Sequence, residues 1–126
     1  QKYLTEQLGI PYRVVQNCAG DTGTPDARQF DLEMWMPGQN KYRETHSADL
    51  MTDYQSRRLG TKYRPSPSPL ATNNSQLATR FIHMNDATAF AIGRTLIAII
   101  ENHQTEKGTI KVPKVLQKWA GIKEIK

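Results

Sequence analysis

The chain is poor in cysteine and has no long hydrophobic run. Cys18 is the only cysteine among 126 residues, so no disulfide can form within the chain, and this composition suits a reducing compartment. The longest strongly apolar stretch, residues 89–100, is interrupted by Gly93, Arg94 and Thr95. It is far shorter than the roughly 20 residues that cross a bilayer. We therefore expect a protein with no membrane-spanning segment.

Several common site signatures are also absent. The sequence has neither the Gly-x-x-x-x-Gly-Lys phosphate loop nor the Gly-x-Gly-x-x-Gly dinucleotide turn, which argues against P-loop and Rossmann proteins. His46, His83 and His103 are scattered, and with one cysteine they form no zinc spacing. Each histidine is expected to be a surface residue or a hydrogen-bonded structural one. His46 and Ser47 are neighbours at the end of a predicted strand, where adjacent side chains diverge, so they form no nucleophilic dyad.

Size and charge set wide limits. A chain of 126 residues with 37% hydrophobic and 23% charged residues is typical of a single globular domain. The formal charge is +5 and the pI about 9.5, which favours encounters with polyphosphate or RNA but does not identify a partner. Helical character that begins next to Gln1 indicates a piece of a longer protein.

The order of sequence patterns predicts an α+β fold, with an antiparallel sheet flanked by helices. A hairpin is expected around the Pro37–Asn40 turn. Three prolines, Pro65, Pro67 and Pro69, predict a mobile loop over about 64–79 within one domain. The predicted helices cover 2–8, 49–58, 89–102 and 114–119, and the predicted strands 12–15, 29–36, 41–45 and 81–84.

The helix predicted over 89–102 carries the first candidate site residue. Its apolar residues are too continuous for a surface helix, so it is expected to be largely buried. Arg94 lies within it, and a buried guanidinium must be paired or face a polar cavity. A phosphate and a structural carboxylate both fit as partners.

The segment 42–47 carries the second candidate site. Glu44 and Ser47 would point to opposite faces of a regular strand, so they can share a metal ion only if the backbone bends between them. Oxygen ligands of this kind suit Mg²⁺, which leaves other positions to phosphate and water. From spacing alone, a solvated hairpin end is the commoner arrangement.

Together these segments resemble the class II seryl-tRNA synthetase catalytic domain, in its C-terminal part. The resemblance runs in order along nearly the whole chain. It is carried by residues 8–15, 20–23, 31–39, 42–47, 53–58, 87–95, 101–104 and 112–116.

The resemblance implies roles for individual residues. Arg94 matches the arginine of class II motif 3, which holds the γ-phosphate of ATP and would be the catalytic residue. Glu44 and Ser47 match the pair that binds the Mg²⁺ bridging the ATP phosphates. Thr88 matches a residue of the serine pocket, and Asp86 stands where the family usually has a serine-binding asparagine.

The function that the resemblance implies is ATP-dependent activation of serine and its transfer to tRNA(Ser), performed by the full-length protein. Serine and tRNA would be the partners, with a homodimer formed through other parts of the protein and with no DNA or membrane partner. This piece alone is expected to be inactive. The basic balance and single cysteine favour the mitochondrial matrix over the cytoplasm.

Two departures from the family pattern support an alternative. Asp86 replaces the usual asparagine, and Ala48 and Asp49 replace a Cys-Ser pair. A carboxylate at 86 would repel the carboxylate of serine unless it is neutralised. The alternative is a non-catalytic synthetase paralogue that acts as a protein or RNA interaction module.

A third hypothesis is an aspartic protease of the retroviral type. Asp21-Thr22-Gly23 and Ile92-Gly93-Arg94 imitate the two signature triplets of those enzymes, which pair two aspartates across a dimer. Ala19-Gly20 is a poor apolar lead-in to such an active-site turn, and the tail after Glu101 would have no role.

Overall fold

The computed structural model describes residues 1–65 and 79–126. Its elements are α1 (Lys2–Leu8), β1 (Tyr12–Gln16), β2 (Arg28–Met36), a 3-10 turn (Pro37–Gln39), β3 (Lys41–Thr52), α2 (Tyr54–Leu59), β4 (Lys62–Tyr63), β5 (Arg80–Phe81), β6 (Met84–Ala87), α3 (Ile92–His103), β7 (Ile110–Lys111), α4 (Lys114–Ala120) and β8 (Glu124–Ile125).

The central element is a four-stranded antiparallel sheet in the order β1-β2-β3-β6. β2 and β3 form its long central hairpin, closed by the Pro37–Gln39 turn and by Asn40 in the left-handed region with φ 51°. β4 pairs with β5 and β7 with β8 in two small separate ribbons. The predicted α+β class, the hairpin, the first helix and the last helix are confirmed.

One face of this sheet forms the hydrophobic core. Leu32, Met34 and Met36 alternate along β2 and are almost completely buried, because alternate residues of a strand point to the same face. Ala98 of α3 and the Leu8–Ile10 end of α1 pack against them. α3 therefore lies across the apolar face and leaves the opposite face of the sheet for polar residues.

The helix predicted over 49–58 begins later than expected. Residues 49–52 belong to β3, and α2 starts only at Tyr54. Asp49 and Leu50 pair with β2 on one side and with β6 on the other. Hydrogen bonding to two neighbouring strands overrides the helical pattern of the sequence here.

The strand predicted over 81–84 is two strands. Phe81 pairs with Lys62 in the β4–β5 ribbon, whereas Met84 pairs with Thr52 in the central sheet. The chain changes partner between them, so no single strand can cover the segment. The mobile loop predicted over about 64–79 falls almost wholly outside the described residues.

The expectation that α3 is largely buried is wrong. Only Thr95 and Ala98 are buried, whereas Ile92 is 72% exposed and Leu96 and Ile100 are also exposed. The helix packs on the sheet along one side only, so its other apolar residues stay exposed within the described part of the chain. No helix of the described part of the chain has the length and hydrophobicity that crossing a membrane requires.

The core packing predicts a large effect of Met34→Ala. Met34 has no exposed surface, and large-to-small substitutions of this kind cost about 2–5 kcal/mol. We expect the urea-unfolding midpoint of the full-length protein to fall clearly. Leu59→Ala, at a 70% exposed position, is the control and should leave the midpoint nearly unchanged. Equal midpoints for the two variants would contradict this account of the core.

Candidate functional site

A β-bulge in β3 brings the predicted metal ligands to one face of the sheet. Leu32 pairs with His46, but the next residue of β2, Glu33, pairs with Glu44, so Thr45 is an extra residue. Ser47 pairs with Asp31. Because Asp31 and Glu33 are two apart on β2, they share a face, and so do Glu44 and Ser47 opposite them. The bend that a shared metal ion would require is therefore present.

Two buried side chains hold this bulge in place. Thr45 and His46 are both fully buried. The Thr45 hydroxyl donates to the Leu32 carbonyl at 3.2 Å and lies 2.8 Å from Nδ1 of His46. The His46 ring packs against Phe90 with 4.8 Å between ring centroids. Burial lowers the pKa of His46, which favours the neutral ring at physiological pH.

The expectation of surface or hydrogen-bonded structural histidines is confirmed for His83 and His103, and for His46 at Nδ1 only. His103 is half-buried, with Nε2 2.9 Å from the Leu8 carbonyl, and His83 is exposed. His46 is not a surface residue. Its Nε2 is buried without a hydrogen-bond partner in the described part of the chain, so only one of its nitrogens is satisfied.

Arg94 reaches the same place from the first turn of α3. Its Nη1 lies 3.4 Å from Oε2 of Glu44, and the two side chains are 49% and 37% exposed. The link before α3 is fixed to β3, since the Thr88 amide donates to the Ser47 carbonyl at 3.1 Å and the Ala91 amide to the Thr45 carbonyl at 2.8 Å. Arg94 therefore has a carboxylate partner, yet it remains open to solvent and to an incoming anion.

The two residues matched to the serine pocket adjoin this pair. Oγ of Ser47 lies 3.5 Å from Oγ1 of Thr88. Asp86 is two residues earlier and pairs directly with Asp49 across the strands. The two departures from the family pattern at 86 and 49 are thus neighbours on the polar face.

The electrostatics of this face favour a cation. The pKa of Asp49 is raised, first by burial and then by the negative charges of Asp26, Asp31, Asp86 and Glu44. One cation near Glu44 would relieve part of this repulsion.

The available oxygen ligands are too few to surround a metal ion completely, but they suit Mg²⁺. No group of three or more His, Cys, Asp or Glu residues converges as a metal site within residues 1–65 and 79–126. Glu44 and Ser47 supply one carboxylate and one hydroxyl on the same face. Mg²⁺ is commonly bound by one or two protein oxygens together with phosphates and water, so this sparse set suits it.

Sequence reasoning missed some contacts of the site. The side-chain amide of Gln1 donates to the Ser47 carbonyl at 2.5 Å and to the Thr88 carbonyl at 2.8 Å. No local pattern indicates a contact across so many residues. The sequence did contain a signal for Asp31, whose carboxylate accepts a hydrogen bond from the Asn17 amide at 2.7 Å. Asp31 alternates with the apolar residues of β2, and this alternation places it on the polar face.

The bulge predicts a specific effect of Thr45→Val. Valine keeps the shape of threonine but removes the hydroxyl, which leaves Nδ1 of buried His46 without its partner. An unsatisfied buried group costs about 1–3 kcal/mol, so the urea-unfolding midpoint of the full-length protein should fall. Thr45→Ser keeps the hydroxyl and should lose less stability. If the valine variant is as stable as the serine variant, the hydroxyl does not hold the bulge.

Comparisons with known proteins agree with this geometry. Residues 2–103 match the family described as tRNA synthetase class II core domain (G, H, P, S and T). The chain is 46% identical over 122 residues to the serine–tRNA ligase of Pyrococcus horikoshii, covering 97% of this chain and 25% of that protein.

Two solved structures have the same fold. The crystal structure of seryl-tRNA synthetase from Pyrococcus horikoshii complexed with ATP superposes with a TM-score of 0.87 at 45% identity, over 98% of this chain and 26% of that one. Cytoplasmic serine–tRNA ligase from Naegleria fowleri in complex with AMP gives 0.82 at 42% identity, over 99% and 28%. The chain spans about a quarter of the length of these relatives. It belongs to the tRNA synthetase class II core domain family (G, H, P, S and T).

Proposed function

We propose that the full-length protein is a serine–tRNA ligase, which activates serine with ATP and transfers it to tRNA(Ser). The observation that carries the proposal is the meeting of Arg94 and Glu44 at 3.4 Å, beside Ser47 and Thr88. Relatives named serine–tRNA ligase, and similar structures solved with ATP or AMP, support it. The homodimer, the mitochondrial matrix location and the absence of a DNA partner stay predictions.

Arg94 is the residue proposed to bind the terminal phosphate of ATP. Its contact with Glu44 is long and half exposed, so a triphosphate can compete for the guanidinium at little cost. A guanidinium presents several N–H donors in a fixed plane, which suits phosphate oxygens. Fixing the far end of the triphosphate orients the α-phosphate for in-line attack by the serine carboxylate and stabilises the departing pyrophosphate.

Glu44 and Ser47 are proposed to hold Mg²⁺ through their oxygens. When bound, the ion would neutralise charge on the ATP phosphates. The bulge supplies the geometry, since it turns both side chains to one face. Glu44 would serve two cations in turn, Arg94 before Mg²⁺ binds and Mg²⁺ afterwards. No covalent link between enzyme and substrate is needed for this reaction.

Thr88 and Asp86 are proposed to line the serine pocket. Thr88 lies beside Ser47, so serine bound there would have its carboxylate close to the nucleotide phosphates. The charge of Asp86 suits the ammonium or hydroxyl group of serine and disfavours its carboxylate. Serine would therefore bind with its carboxylate directed away from Asp86 and toward Arg94 and the metal ion.

The first test is Arg94→Ala in the full-length protein. Loss of a donor that stabilises transition-state charge typically costs about 10²–10³ in rate. Serine-dependent ATP–pyrophosphate exchange should fall by at least that factor. Arg28→Ala is the control, because Arg28 lies at the far end of β2 and pairs with Leu50. An Arg94→Ala enzyme with undiminished exchange would remove Arg94 from the site.

The second test uses the metal ligands. Glu44→Gln removes the negative charge but keeps the shape, so more Mg²⁺ should be needed for half-maximal exchange. Ser47→Ala removes only an uncharged oxygen ligand, so it should raise the Mg²⁺ requirement less. Calorimetric titration with ATP and Mg²⁺ measures binding without turnover, and it should also show a larger loss for Glu44→Gln than for Ser47→Ala. An unchanged Mg²⁺ requirement in Glu44→Gln would show that the ion binds elsewhere.

A further inference from the structure

The net positive charge of this chain is concentrated in one segment. Between Tyr54 and Arg80 the sequence has five basic residues and no acidic one. The whole chain has 17 basic and 12 acidic residues, so the remainder holds 12 of each sign and is neutral. The +5 charge is therefore a local property, and it requires a local explanation.

The structure gathers these charges around α2 and the β4–β5 ribbon. Arg57 and Lys62 flank the ring of Phe81, with Cζ and Nζ each 4.9 Å from its centroid. Arg58 stacks on Tyr54 with Cζ 3.3 Å from the ring centroid. We call this region the basic ribbon surface. Its members are Tyr54, Arg57, Arg58, Lys62, Tyr63, Arg80 and Phe81.

Both faces of the ribbon take part. Lys62 pairs with Phe81, and Tyr63 with Arg80, so each face combines one cation with one aromatic ring. Lys62, Tyr63 and Arg80 are exposed.

Most of these cations have no structural partner to neutralise them. Arg57 forms an ion pair with Asp53 at 2.7 Å, which holds the pKa of Asp53 below its usual value. Among the residues that the structure describes, Arg58, Lys62 and Arg80 form no ion pair with a carboxylate. They are available to an external anion.

We propose that the basic ribbon surface binds the phosphate backbone of the tRNA that the full-length protein charges. Cations spread over a surface and interleaved with aromatic rings are typical of RNA recognition, in which phosphates pair with Arg and Lys and unstacked bases lie on rings. This inference rests on the proposed function for the identity of the RNA.

The position of the surface is consistent with this role. β3 leads from Glu44 at the nucleotide site to Thr52, where α2 follows. At about 3.3 Å per residue, these eight steps separate the two places by roughly 25 Å. The basic ribbon surface is therefore separate from Glu44 and the nucleotide site. A tRNA whose 3′ end enters the site would pass its backbone over a basic region at that distance.

The test compares two triple variants of the full-length protein that lose the same charge. The first is Arg58→Gln, Lys62→Gln and Arg80→Gln. The control is Lys107→Gln, Lys114→Gln and Lys126→Gln, at exposed positions in the C-terminal part of the chain. The Kd for tRNA is measured by fluorescence anisotropy over a series of salt concentrations, and serine-dependent ATP–pyrophosphate exchange, which needs no RNA, is measured in parallel.

Loss of three phosphate contacts should reduce the slope of log K against log salt by about two to three and raise Kd roughly tenfold or more. The control triple should change both far less. Equal effects of the two triples, or none in the first, would overturn the proposal. If loss of ATP–pyrophosphate exchange shows that the first triple variant is misfolded, the single variant Arg80→Gln replaces it. This single variant should reduce the slope of log K against log salt by about one.

Failure of the proposed function gives a different result. A full-length wild-type protein without serine-dependent exchange would refute the ligase activity, whatever its affinity for RNA. Retained exchange together with an unchanged Kd and salt slope in the first triple would refute the basic ribbon surface alone.

Discussion

The bulge at Thr45 is the feature on which the candidate site depends. It inserts one residue into β3 and so turns Glu44 and Ser47 to the same face of the sheet. Without it, one of the two oxygens would point into the core beside Met34 and His46. Thr45 and His46 are fully buried, and the contact between the Thr45 hydroxyl and His46 Nδ1 couples the packing of the core to the geometry of the site.

The two faces of the sheet have different roles, since one packs the core and the other carries the polar site residues. The apolar face packs with α3 and α1, and it contributes stability. The polar face carries Asp49, whose pKa is raised first by burial and then by the negative charges of neighbouring carboxylates. Such crowding costs stability, because like charges disfavour ionisation of their neighbours. A bound cation would remove part of that cost, and this relation is what a site for a metal–nucleotide complex requires.

Arg94 connects the two sides. It belongs to α3, which packs on the apolar face, yet its guanidinium contacts Glu44 on the polar face. This is feasible because β6 pairs with β3 only from Ala48 onward, so the edge of β3 beside Glu44 is not covered by β6. The backbone contacts of Thr88 and Ala91 with β3 then fix where α3 begins.

The sequence by itself determined the elements that local patterns encode. The Pro37–Asn40 turn was sufficient for the hairpin, the order of sequence patterns was sufficient for the α+β fold, and ordered motifs were sufficient for the family. The tertiary structure alone decided where β3 ends, which side of α3 is buried and whether Glu44 meets Ser47 and Arg94. These depend on pairing with distant strands and on one inserted residue, and a pattern read along the chain does not contain the identity of a residue's neighbours in space.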